Sequence, residues 1–187
     1  MQQRDPWRAA VCGIAVLAGV GLLLAPMQSA AATRAQLLPF VGRVVDLTLA
    51  DGSHVEAREL DCVGRTFVAL FPFPDENNMD LNVYYVRISA IRSIQPNNRP
   101  HSRNGSSNGT CDVKVDSAQA ALHAVRKPFR LRIAGRAAMD HIEPDDLEMR
   151  STVLVMRFLT TDVAHPMRTV EIPFDSILSI EGEAPSK

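Results

Sequence analysis

The chain has 187 residues, 46% of them hydrophobic and 22% charged, enough for one ordinary domain or two small ones with a packed core. A net charge of −1 leaves no global basic field for nucleic acid or acidic lipid, and an aromatic share of 5% argues against a base-stacking platform. The cysteines are Cys12, Cys62 and Cys111, with no CxxC and no zinc-ligand spacing.

Residues 9–25 form an apolar run, preceded by Arg4, Trp7 and Arg8 and followed by Pro26 and Ser29-Ala30-Ala31-Ala32. The run is close to the roughly 17 residues that can just span a bilayer, and Trp7 suits an interfacial anchor. A basic start and a small-residue exit equally describe a secretory signal cleaved near Ala32. The reading adopted is a retained transmembrane anchor over 1–32, with the bulk in the periplasm or otherwise outside the cytoplasm. The alternative is cleavage and release to the periplasm. In an exported chain Cys62 and Cys111 are the candidate disulfide pair. Otherwise Cys62 is simply a buried thiol and Cys111 an idle one.

Residues 33–38 read as a short helical turn ended by Pro39. The period then changes from helix to strand. Val45, Leu47 and Leu49 alternate over 42–49, and Asp51-Gly52 is a hairpin signal leading to a return strand over 54–61. A very apolar strand over 66–73 stops at Pro72 and Pro74. A fourth strand runs to Arg87, a one-turn bend falls at Ser89-Ala90, and 91–94 closes the set. Residues 96–115 are polar, rich in Asn, Ser and Gly, and read as a linker.

Ser117 caps a short amphipathic helix, and Phe129, Leu131 and Ile133 open a second strand set. Pro144 interrupts 137–149, where a bulge, a loop or a helical turn is expected. Residues 152–159 are a second very apolar strand, and 167–180 end the set. Ile91 and Ile177 differ by 177 − 91 = 86, and the same shift lays 67–70 on 153–156 and 45–47 on 131–133. Three apolar blocks at one offset point to an internal duplication.

Over 40–95, Gly42, Val45, Leu47, Leu49, Asp51-Gly52, Phe67-Val68, Leu70, and Val86 through Ile94 resemble the Sm-like family of small bent barrels. An SH3-like barrel reads similarly. Residues 116–182 keep the last three strands and lack the Asp-Gly turn. The resemblance implies a mainly β fold of two tandem Sm-like/SH3-like five-stranded barrels, over 33–95 and 116–182, each preceded by a short helix, with a tail at 183–187. It also implies ring-type pairing of a last strand with a neighbour's fourth. RNA binding does not carry over. The turn at 61–65 lacks the family's Asn or stacking aromatic, and 87–90 lacks its Arg-Gly or Lys-His element.

No constellation of nucleophile, base and orienting group is legible. The acidic stretch 140–148 reads as a solvated turn rather than a metal loop, so neither cofactor, metal nor small-molecule substrate is expected. Phe71 and Phe73, at alternate positions beside prolines, are a docking knob or the roof of a barrel. Tyr84 and Tyr85 are further candidate docking residues on the fourth strand. The expected function is non-catalytic: an accessory or scaffolding subunit of a membrane protein complex, photosynthetic or respiratory for instance. The alternatives are a periplasmic peptide- or envelope-binding module and, third, an RNA-binding protein.

Overall fold

A computed structural model describes residues 30–72, 82–98 and 116–183. The apolar run 9–25, the linker over 99–115 with Cys111, and Phe73 lie outside the described residues. No helix among the described residues is long and apolar enough to cross a membrane.

The fold is mainly β. A four-residue helix α1 (Arg34–Leu37) leads to β1 (Val44–Leu49), β2 (His54–Val63), β3 (Phe67–Pro72), β4 (Asn82–Arg87) and β5 (Ile91–Pro96). Helix α2 (Ala118–His123) leads to β6 (Phe129–Ile133), β7 (Met139–Ile142), β8 (Asp146–Met149), β9 (Val153–Leu159), β10 (Met167–Pro173) and β11 (Ile177–Glu183). Single 3-10 turns at Ile88–Ala90 and Phe174–Ser176 join the last strand of each set to the one before it. Ser117 caps α2 by accepting from the Ala120 amide at 3.1 Å, as its position predicts.

The strands do not close into two barrels. They form an eight-stranded sheet, ordered β5-β1-β2-β3-β4-β11-β6-β7, and a three-stranded sheet, β10-β9-β8. Two local causes are visible. The outer side of β4 is taken by β11, so the two strand sets run together into one sheet. Pro144 also separates β7 from β8, so the return strand that is continuous in the first set is divided between sheets in the second. In the first set the long β2 bends at Ala57 instead, where φ is +49° and the freed amide donates to Asp46 Oδ1 at 2.7 Å.

Two apolar cores result, and they share a wall. Val45, Leu47, Leu49, Leu60, Val68, Leu70, Val86 and Ile91 enclose the first with Leu37 of α1. The second holds Leu131, Ile133, Leu154, Met156, Ile172, Ile177 and Ile180, together with Cys62, Phe67, Ala69, Val83 and Tyr85 from the first set. Along β3 the side chains alternate between the cores: Phe67 and Ala69 face one, Val68 and Leu70 the other. That double burial is why the strand reads as an uninterrupted apolar run.

Candidate interaction site at a shared sheet seam

The seam between β4 and β11 is antiparallel, with Tyr85 opposite Ile180 and Val83 opposite Gly182. In such a ladder, residues alternate between those whose N–H and C=O point at the neighbour and those whose groups point away. The Ile88 amide donates to the Thr66 carbonyl at 2.8 Å. Val86 and Tyr84 therefore face β3, while Val83, Tyr85 and Arg87 turn their backbones to β11.

Side chains then lock the register. The Arg87 guanidinium lies 5.0 Å from the Phe67 ring centroid and reaches across the seam. Its Nε donates to the Ile177 carbonyl at 2.7 Å, and its Nη2 to the Phe174 carbonyl at 2.5 Å. These carbonyls lie in the turn before β11 and at the strand's first residue, so one side chain from the first set fixes how the second set enters its last strand. Desolvation holds the Arg87 pKa below the usual guanidinium value, partly offset by Asp175 at 3.8 Å.

On the outer face a polar ladder crosses the same junction. The Arg58 guanidinium sits 4.5 Å over the Tyr84 ring and donates to its hydroxyl at 3.2 Å. That hydroxyl donates to Glu181 Oε1 at 2.5 Å. Arg130 of β6 pairs with Glu181 Oε2 at 3.2 Å and with Asp140 of β7. Desolvation lowers the Arg130 pKa, but Glu181 and then Asp140 more than reverse this, and it stands above its ordinary value. Gly182 completes the seam. A Cβ there would meet Val125 Cβ at 3.0 Å and the Arg126 carbonyl at 3.2 Å, so the chain after α2 packs directly on β11 backbone.

The two sheets end on β5 and β7, and on β10 and β8. Strands β7 and β8 have four residues each, whereas β5 has six and β10 seven, so the longer edges are those of β5 and β10. The Asn97 amide donates to the Val44 carbonyl, so Ile94 and Pro96 present their backbones outward. On β10 the Phe174 amide donates to the Thr152 carbonyl at 2.9 Å and the Thr160 amide to the Pro166 carbonyl at 3.0 Å. Both bonds put Met167, Thr169, Glu171 and Pro173 on the outward row. Each of these two edges thus ends on a proline whose nitrogen faces outward without a hydrogen, which stops pairing at that residue and leaves the outward amides before it as donors.

The β9–β10 hairpin adds an apolar tip. Leu159 is 66% exposed, Val163 95% and Met167 44%, and Met167 stands opposite Leu159 in the ladder. Along the same strands lies a charged group: Arg157 pairs with Asp146 and with Glu148 at 2.9 Å, and Arg150 pairs with Glu148 at 3.0 Å and Glu171 at 3.5 Å. Hydrogen bonds from Arg150 and Arg157 hold the Glu148 carboxyl below its ordinary pKa.

Of the residues singled out in the sequence, Tyr84 lies half-buried in the polar ladder. Tyr85 is buried in the shared core, where desolvation and the nearby Asp61 push its phenol up to about 12. Phe71 is partly buried against the same core. Cys62 is buried and disulfide-bonded, and its partner lies outside the described residues. Concavities among the described residues are open to solvent. One of about 290 Å³ is lined by Asp46, His54 and Glu56 among others, and one of about 210 Å³ by Arg130, Asp140 and His141. Among the described residues no group of three or more side chains is placed to hold a metal ion. Arg87, Glu181 and the apolar tip were not singled out in the sequence. The exposed tip had a signal, an apolar Val163 between Asp162 and His165 in a polar loop. No family model matches the chain, and comparison with curated proteins and with solved structures gives no match.

Proposed function

We propose that this chain is a non-catalytic accessory or scaffolding subunit of a larger membrane protein complex. In this reading residues 9–25 anchor it, and its two strand sets, versions of one Sm-like unit, act outside the cytoplasm through protein contacts. The observation that carries the proposal is the seam. The chain already uses strand-edge pairing as an assembly joint, with side chains dedicated to it, and the long edges of β5 and β10 stand ready, the second beside an apolar hairpin tip. The disulfide at Cys62 supports an oxidising compartment. Extraction of native membranes in mild detergent, followed by affinity capture and mass spectrometry, tests the reading. Stoichiometric membrane-protein partners are expected, and recovery of a lone monomer counts against it.

The Ser29-Ala30-Ala31-Ala32 exit favours a second reading, in which a cleaved periplasmic module works through the same surfaces. N-terminal sequencing of the mature protein separates the two, since a start at Thr33 selects the second.

A further inference from the structure

If the strand sets correspond at the 86-residue offset, β10 is the counterpart of β4, and Thr169 and Glu171 stand where Val83 and Tyr85 stand. In β4 the outward row is filled by β11. In β10 it has no strand beside it among the described residues, and it carries the means to be filled. The amides of Met167, Thr169 and Glu171 point outward as a row of donors, as argued above, and all three residues are exposed.

The side chains beside that row are chemically ordered. On the outer face Glu171, Thr169 and Met167 follow one another along the strand. Glu171 belongs to a group in which three carboxylates, Asp146, Glu148 and Glu171, meet two guanidiniums, Arg150 and Arg157. One negative charge is left over at the edge. Met167 and Leu159 form an apolar step on the same face, next to the exposed Val163. Arg168, exposed, lies on the other face.

Strand β5 of a second copy of this chain is the wrong occupant. Extending the seam register by the same offset would set Ile94 of β5 against Glu171 and Pro96 against Thr169. Pro96 has no hydrogen for the Thr169 carbonyl, and an aliphatic side chain beside Glu171 leaves the surplus charge unanswered. Pro173 stands where Arg87 would have to be, so the clamp on the next turn is missing too. The edges cannot remake the joint that holds the chain together.

We propose that β10 is a strand-addition site for an extended segment of a partner protein. The segment lies antiparallel, with a basic side chain beside Glu171, a small polar one beside Thr169 and an aliphatic one beside Met167. Main-chain bonds to the outward amides give affinity and the alternate side chains give selection. This rests on the reading of the chain as an assembly subunit, and names the kind of segment it takes.

The test uses the purified chain and a synthetic peptide, Ser-Lys-Val-Thr-Glu-Leu-Ser, whose lysine falls opposite Glu171, glutamate opposite Arg168 and leucine opposite Met167. Amide shifts on titration are expected at Met167, Thr169 and Glu171. A peptide with lysine and glutamate exchanged should bind about threefold to tenfold more weakly, the range of two exposed charge pairs. Thr169→Pro removes the central donor and should abolish binding. Should that variant not fold, exchanging both strand charges, Glu171→Lys with Arg168→Glu, should reverse the preference between the two peptides. Equal binding of both peptides, or shifts confined to other strands, would overturn the proposal. So would concentration-dependent shifts at β10 without peptide, which mark a second copy as occupant. Co-sedimentation with phospholipid vesicles that Val163→Glu abolishes, with no peptide binding, would assign the tip to lipid and overturn it as well. None of these results depends on the capture experiment, so failure here leaves the subunit reading standing, and partner-free recovery there leaves the peptide site standing.

Discussion

Strands β4 and β10 each follow a very apolar strand, and each precedes a single 3-10 turn and a closing strand, yet one is buried in a seam and the other lies at an edge. The difference is in the side chains. β4 offers Tyr85 to a core on its far side, Tyr84 to Glu181 and Arg87 to two carbonyls beyond it. β10 has Glu171, Val170 and Pro173 at the positions 86 residues later. Similar backbones therefore do not make similar joints. What decides whether an edge is permanently occupied is whether its outward residues have somewhere apolar to go and whether an adjoining cation can satisfy the neighbour's turn.

The most severe way to break this comparison is to take the partner away from β4. A fragment of residues 30–98 would expose Phe67, Ala69, Val83 and Tyr85, all buried in the core they share with the second set. We expect it to lose cooperative thermal unfolding and to bind a hydrophobic dye. A well-dispersed, two-state fragment would show that the first core suffices alone. Next in size is the clamp. Arg87→Ala strips two carbonyls of charged donors and should cost about 2–4 kcal/mol in urea unfolding. Arg168→Ala, on the edge strand, should cost less than about 0.5 kcal/mol. Equal losses would mean that the cation does not distinguish the two strands.

Gly182→Ala comes third. Its Cβ would press on Val125 and the Arg126 carbonyl, so about 1–3 kcal/mol is expected, with the seam amides of Val83 and Tyr85 exchanging faster. Unchanged exchange there would place the strain elsewhere. The smallest effect at neutral pH is that of the Tyr85 titration. The folded phenol titrates near 12 and the unfolded one near 10, so the native state holds the proton longer. Stability is then independent of this group below about pH 10 and falls as pH rises from about 10 to 12. Tyr85→Phe should flatten that part of the profile, and an unchanged alkaline slope would remove Tyr85 as its cause.

Much of the strand layout was legible in residues. Alternation marked β1, β6 and β11, Asp51-Gly52 the first hairpin, Ser89-Ala90 the tight bend, and Pro144 the interruption between β7 and β8. Closed barrels were expected because each set has the strands for one. Alternation says which side chains share a face but not which strand lies beyond an edge, so the pairing of β11 with β4, a last strand against a fourth, was foreshadowed by the resemblance alone. The shared wall was hidden for the same reason. An apolar run such as Phe67 to Leu70 is consistent with one buried face in a barrel or two in a sheet between cores. Arg87 and Glu181 look like ordinary outward polar residues until the other set is folded against them.

The seam also imposes an order of events. Val83 and Gly182 are paired although they lie far apart along the chain, and β11 follows every other described strand. During ribosomal synthesis the first strand set must therefore wait, with its flank bare, until β11 has emerged. Long-separation pairings of this kind close slowly and leave sticky intermediates. A chaperone that shields nascent strands would be most needed in that interval, and ribosome-stalled chains ending before residue 177 should be the ones it retains.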